Sequence, residues 1–209
     1  MIRTECDGPL WRATIDRPDK ANALTAEMLD TLADFAEAAG PAGARVLVIT
    51  GAGRVFSAGA DLDAARTGLA TDPAWERLSR AIADSPCLSV AALNGTLAGG
   101  AFGMALAADL RVAAEHARFF YPVMKLGFLP QPSDPGRLEA LVGPARARLL
   151  LLGAAKWDAA EALAFGLVDR VVAAADLADA VTELTAAAAD GRPEILAGIK
   201  ALLGRRSLA

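Results

Sequence analysis

The chain reads as an α/β protein, and three observations predict that class. Two short apolar runs, 45–50 and Leu88–Leu93, each lead into a glycine-containing turn. Segments with helical spacing alternate with these runs. The second half is rich in alanine, the residue with the best helix propensity. Strand, turn and helix repeating in this order imply parallel pairing with crossover connections.

Each element has its own signal. Leu10–Ile15 is predicted as a strand. Met28, Leu29, Leu32, Phe35, Ala36 and Ala39 recur at helical spacing, with Thr25 as N-cap and Gly40-Pro41 as the stop. Residues 45–50 make a short buried strand. Asp72-Pro73 opens a helix running to about Asp84, with proline in its first turn. Leu88–Leu93 is a second buried strand, and 99–107 a helix. Further on, 136–141 and 173–189 are expected as helices and 167–172 as a strand. No repeat of solenoid period is visible.

Composition narrows the class of function. A length of 209 residues suits one domain with a sizeable core. Hydrophobic residues make up 54% of the chain, which argues against disorder. The apolar stretch 97–108 is too short to span a bilayer. The start, Met1-Ile2-Arg3-Thr4-Glu5, lacks the apolar region of a signal peptide, so a cytoplasmic location is expected. The net charge of −4 leaves no basic footprint for nucleic acid. Cys6 and Cys87 fit no metal spacing and are expected as free, buried or partly buried thiols. The single histidine, His116, argues against a histidine-based metal site and sits in a polar, surface-like connection.

Two segments carry the functional signal. They are Phe56-Ser57-Ala58-Gly59-Ala60-Asp61-Leu62 and Asn94-Gly95-Thr96-Leu97-Ala98-Gly99-Gly100-Ala101. Small residues let a ligand approach the backbone closely. Two such turns facing one another can aim two backbone N–H groups at a single oxygen, the arrangement of an oxyanion hole. Gly99-Gly100 also opens a predicted helix, whose N-terminus carries partial positive charge. The bland alternative is tight helix–sheet packing.

At these residues the chain resembles the crotonase superfamily, the enoyl-CoA hydratases and isomerases. The resemblance extends over most of the sequence. Arg17-Pro18-Asp19-Lys20-Ala21-Asn22-Ala23-Leu24 looks like the family's opening motif. Ala108-Asp109-Leu110-Arg111-Val112-Ala113, then Glu161-Ala162 and Gly166-Leu167-Val168, follow in family order. The resemblance implies stacked sheets built from spiralling ββα units and surrounded by helices. It divides the chain into a core, 1–172, and a C-terminal helical region, 173–209, shorter than is usual. It implies an acyl-CoA thioester as partner, coenzyme A arriving with the substrate, no other cofactor and no metal. It also implies a homo-oligomer, a trimer, which the short C-terminus puts in question. The thioester oxygen would sit on the N–H groups of Ala60 and Gly100. Ala23, Leu24, Ala58, Ala60, Asp61, Leu62 and Gly100 would line the CoA site, with Asp61 stabilising its turn. Arg17, Lys20 and Arg54 are candidates for the CoA phosphates, although each alone reads better as a solvated surface charge.

The departures from the family pattern concern proton transfer. Hydratases place one glutamate where this chain has Gly103 and another where it has Val123. Ordinary hydration should therefore be very slow. Tyr121 and Lys125 can enter the vacated site if 121–125 is extended. Asp134 reads first as a helix N-cap before Pro135, and second as a catalytic acid. Gln131 can hydrogen-bond there but not transfer protons. Phe102 and Phe128 read as core residues first and as acyl contacts second.

Three readings follow. In the first, the chain is a lyase or isomerase of acyl-CoA metabolism that decarboxylates or isomerises its substrate, because loss of CO₂ from a malonyl-type thioester makes the enolate without an enzymic base. In the second, an ordinary hydratase or isomerase takes its acid from Asp134 or Tyr121. In the third, the protein binds acyl-CoA or a partner without catalysis. Fold alone does not choose among them.

Overall fold

An alternation of long and short strands organises the molecule. The computed structural model describes residues 1–204. β1 (Ile2–Asp7) and β2 (Leu10–Ile15) form an antiparallel hairpin. α1 (Ala26–Ala39) follows, and Thr25 Oγ1 accepts the Met28 N–H as its cap. β3 (Val46–Gly51) then turns into the short β4 (Val55–Ser57), and two helices follow, α2 (Leu62–Arg66) and α3 (Ala74–Ala83). The pattern recurs with β5 (Leu88–Leu93), β6 (Thr96–Ala98) and α4 (Phe102–Ala107). It recurs again with β7 (Leu110–Ala114), β8 (Arg118–Phe120), α5 (Val123–Leu126) and α6 (Asp134–Val142). The chain continues through α7 (Pro144–Leu151), β9 (Lys156–Asp158), α8 (Ala159–Phe165), β10 (Arg170–Val172), α9 (Leu177–Asp190) and α10 (Pro193–Gly204).

The first strand of each repeat joins a six-stranded sheet ordered β1-β2-β3-β5-β7-β10. The second joins a four-stranded sheet ordered β4-β6-β8-β9. This is the stacked ββα spiral that the resemblance implied. The large sheet is buried on both faces between β3 and β7. Leu47, Ile49, Ala91, Leu93 and Ala113 face the main core. Val46, Val48, Val90, Ala92 and Val112 pack on the other side against Leu177, Ala180 and Val181 of α9. Double burial explains why these strands read as continuous apolar runs rather than alternating ones.

Between the sheets, the first two repeats turn corners stitched by side-chain amides. Asn22 is fully buried and lies at φ +56, a conformation asparagine tolerates. Its Nδ2 donates to Ala52 O and Val55 O, and its Oδ1 accepts the Arg17 N–H. Asn94 Oδ1 accepts the Gly51 N–H, and its Nδ2 donates to Gly53 O. At Gly95 a Cβ would stand 1.9 Å from Arg54 O, so only glycine lets the corners stack. Arg111, buried in β7, donates to Ala108 O, Leu167 O and Asp169 Oδ2, which ties the end of α4 to the approach to β10.

The structure corrects several expectations. The helix expected at 99–107 begins as a 3-10 turn, Gly99–Ala101, before α4. The helix expected at 173–189 likewise starts as a 3-10 turn, Ala174–Asp176. The strand expected at 167–172 is only Arg170–Val172, and α6 is longer than 136–141 at both ends. The residues 121–125 are not extended. Pro122 starts the turn of α5, so Lys125 faces solvent while Tyr121 and Val123 are buried. Cys6 is exposed, on an edge strand, and Cys87 is buried. His116 is half-buried rather than on the surface, with Nε2 enclosed. Among the described residues no helix is long and apolar enough to cross a membrane.

Outside the core, Lys200 of α10 donates at 2.6 Å to both Cys87 O and Asp109 Oδ2. The Asp109 oxygen also accepts from Ser89 N and Oγ. Much of the rest of α10 is exposed, including Ile195, Ile199, Leu202 and Leu203.

Replacing Asn22 by alanine leaves the part-buried Arg17 N–H and Ala52 O without this partner, each worth about 1–3 kcal/mol, while Val55 O keeps Asn94 Nδ2. The expected outcome is a urea midpoint lowered by that order with an unchanged slope. Asn22→Asp should not rescue it, because a carboxylate cannot donate to Ala52 O and Val55 O.

Candidate active site

The two glycine turns meet. A Cβ on Gly59, at φ +94, would stand 2.9 Å from Ala98 O and 3.3 Å from Gly100 N, so the turns touch backbone to backbone. Leu24 fixes the first turn by donating to Gly59 O and accepting from Asp61 N. Ala60 lies between these partners, which leaves its own N–H outside the pairing. Gly100 is the middle residue of the 3-10 turn, ahead of the first bond within it, so its N–H is also without a helical acceptor.

Both residues line a cavity of about 280 Å³ that is mostly apolar. Of the expected CoA-site residues, Ala58, Ala60, Leu62 and Gly100 line it. Ala23 and Leu24 are buried beneath the first turn and do not. Asp61 also stays outside. It caps α2 by accepting from Asp63 N and Ala64 N, and pairs with Arg17 at 2.7 Å. The Ala64 amide, then Arg17, hold its carboxyl below the usual range. Arg17 is thus engaged in holding the turn, and neither Lys20 nor Arg54 lines the cavity, whereas Arg66 does. A larger cleft of about 570 Å³ between α1 and α3 shares no residue with these turns.

Tyr121 and Gln131 form part of the cavity's buried lining, and Asp134 lies behind Tyr121 without reaching the cavity. Tyr121 lines it at 2% exposure, stacked on Phe102 with ring centres 5.2 Å apart. Phe102 itself is core, while Phe128 lines the cavity. Tyr121 Oη donates to Asp134 Oδ2 at 2.8 Å and accepts the Gln131 N–H at 3.4 Å. Asp134 is therefore not the N-cap expected of it. It is the first helical residue after Ser133, its carboxyl points inward, and it is 1% exposed.

The Asp134 carboxyl reaches Gly103, one of the two positions where the resemblance leads one to expect a glutamate. A Cβ on Gly103 would stand 2.6 Å from Ser79 Oγ and 3.2 Å from Asp134 Oδ1. Side chains from α3 and α6 thus occupy the space that a residue at 103 would need. Burial pushes the Asp134 carboxyl up to about 7, against the opposing pull of Tyr121 and Arg137. Burial, then the neighbouring Asp134 charge, pushes the Tyr121 phenol well above its ordinary value. Val123 walls the cavity at the second glutamate position. Gln131 also lines it, its amide donating to Ala70 O at 3.4 Å.

Trp75 escaped the sequence reading. Its helical spacing with Leu78 and Ile82 marks it only as core, yet its ring lines the cavity directly behind Gly100. No group of three or more metal-ligating side chains occurs among the described residues.

Two outcomes follow from this geometry. Gly59→Ala forces a side chain into a left-handed turn and against Ala98 O, so stability should fall by about 2 kcal/mol or more. Gly8→Ala, where nothing lies within 4 Å, should cost less. For Asp134, the folded value is raised above the unfolded one of about 3.9. Its contribution to stability is then fully present below about pH 4 and lost as pH rises through about 7, on the order of 4 kcal/mol in all. Asp134→Asn should flatten that limb in urea titrations run across this range.

Comparison with known proteins agrees with the geometry. Residues 7–207 match the family model described as enoyl-CoA hydratase/isomerase. Carnitinyl-CoA dehydratase of Citrobacter koseri is 39% identical over 202 residues, 92% of this chain and 76% of that protein. A crystal structure of an enoyl-CoA hydratase from Mycobacterium avium subsp. paratuberculosis superposes with a TM-score of 0.91 at 32% identity, covering all of this chain and 86% of that one. An enoyl-CoA hydratase/isomerase from Pseudoalteromonas atlantica gives 0.90 at 30% identity, over 97% and 82%. The chain is a member of the enoyl-CoA hydratase/isomerase family.

Proposed function

We propose that this protein forms and quenches the enolate of an acyl-CoA thioester, by decarboxylation or isomerisation rather than by ordinary hydration. The observation that carries the reading is Tyr121, which lines the cavity with Asp134 hydrogen-bonded behind it, while Gly103 and Val123 stand where the resemblance expects glutamates. The N–H groups of Ala60 and Gly100 receive the thioester oxygen. Each such donor is worth about 2.7–4 kcal/mol in the transition state.

In the decarboxylation of a malonyl-type thioester, the bond from Cα to the carboxylate breaks and its electron pair enters the enolate. CO₂ leaves, Tyr121 Oη gives its proton to Cα, and protonated Asp134 restores the phenol. No base is needed, and Asp134, held neutral up to about pH 7, does not repel the substrate carboxylate. In isomerisation the pair starts with Asp134 ionised: Tyr121 Oη takes a proton from one carbon as it passes its own to Asp134, and the reverse transfer delivers a proton to another carbon. The name of the carnitinyl-CoA dehydratase relatives favours a second reading. A proton taken from Cα by the same pair would be delivered to a departing β-hydroxyl, releasing water. The alternative to all of these is binding of acyl-CoA without turnover.

Mass spectrometry in D₂O separates the outcomes on a panel of saturated, enoyl, 3-hydroxyacyl and malonyl-type CoA thioesters. Loss of CO₂ with one deuterium gained, deuterium uptake alone, or loss of water would each name a reaction. An unchanged panel despite binding would leave the non-catalytic alternative. Tyr121→Phe should lower the rate by about 10²–10⁴-fold. The wild-type rate of enolate protonation should fall as pH rises through about 7, because ionised Asp134 holds the phenolic proton, and Asp134→Asn should abolish that limb.

A further inference from the structure

The cavity has a wet end and a dry end. Leu62, Leu126 and Leu129 at one end are exposed. Trp75, Tyr121 and Gln131 at the other are at least nine-tenths buried. The long, charged CoA moiety must reach solvent, so it leaves by the wet end and the acyl group points to the dry one.

Trp75 closes that end. Three atoms of its six-membered ring, Cζ2, Cζ3 and Cη2, each lie 3.3 Å from where a Gly100 Cβ would stand. The indole N–H donates to Leu69 O at 2.8 Å, which fixes the ring and the turn Leu69–Thr71 together. That turn carries Ala70, whose carbonyl takes the Gln131 amide. The indole therefore packs against the Gly100 Cα while also lining the cavity, and this wall is braced from α3, the 69–71 turn and the 131 loop. From this geometry we infer that Trp75 is the specificity-determining residue of the site and restricts it to short acyl groups. The inference rests on the acyl-CoA reading of the same cavity.

The test is binding, which needs no turnover. Dissociation constants are measured by calorimetry for acetyl-, butyryl-, octanoyl- and dodecanoyl-CoA. A methylene that finds an apolar site tightens binding roughly fourfold. In the wild type, affinity should stop rising beyond butyryl-CoA, and octanoyl-CoA should bind at least tenfold more weakly. In Trp75→Ala and the milder Trp75→Leu, octanoyl-CoA should bind at least as tightly as butyryl-CoA, with Trp75→Phe between. A wild type that prefers octanoyl-CoA, or folded variants whose octanoyl-to-butyryl ratio is unchanged, would overturn the inference and leave the acyl-CoA reading standing. Absence of binding by every thioester would overturn that reading and this inference with it. The wild-type series decides the matter if the alanine variant does not fold.

Discussion

Everything at the site depends on backbone touching backbone between successive turns of the spiral. Gly59 lies against Ala98 O and Gly100 N, and one level back Gly95 lies against Arg54 O. These contacts have no side chain to yield, so the distance between the two turns is set by the chain itself. Asn22 and Asn94 then hold the corners by binding carbonyls and amides that the sheets leave over. Under the proposed function, the N–H groups of Ala60 and Gly100 are placed before any ligand arrives, and small residues rather than polar side chains would mark them.

The groups proposed to handle protons come from elsewhere in the chain. Tyr121 follows β8, Asp134 starts α6, and the space between them and the first glutamate position is closed by Ser79 of α3. The buried carboxyl can be neutral near physiological pH because burial outweighs the help of Tyr121 and Arg137.

Much of this was legible in the sequence, and the limits have physical causes. The long buried strands announced themselves as apolar runs, and α1 by its cap and spacing. The three-residue strands of the second sheet did not, since three residues carry no period. Ala58, Ala60 and Gly100 were readable because a motif of small residues is local. Asp134 was readable as a candidate but its local pattern, an acid before proline, pointed to a cap. Only the fold shows its carboxyl turned inward to Tyr121. The extended geometry considered for 121–125 failed because Pro122 begins a helical turn that sends Lys125 outward. Trp75 carried no signal at all, since its approach to Gly100 joins α3 to a turn 25 positions away in sequence.

The attachment of α10 has a consequence for how the molecule comes apart. Among the described residues its side-chain anchor is one ammonium group shared between the Cys87 carbonyl and the Asp109 carboxylate, while much of its apolar surface faces water. A half-buried ion pair contributes far less than the packing that holds β3, β5 and β7 between two layers. The last helix can therefore detach as a unit at a fraction of the global unfolding free energy. Its amides should exchange with solvent through that small opening, on a clock separate from the sheet's and one that added salt speeds up.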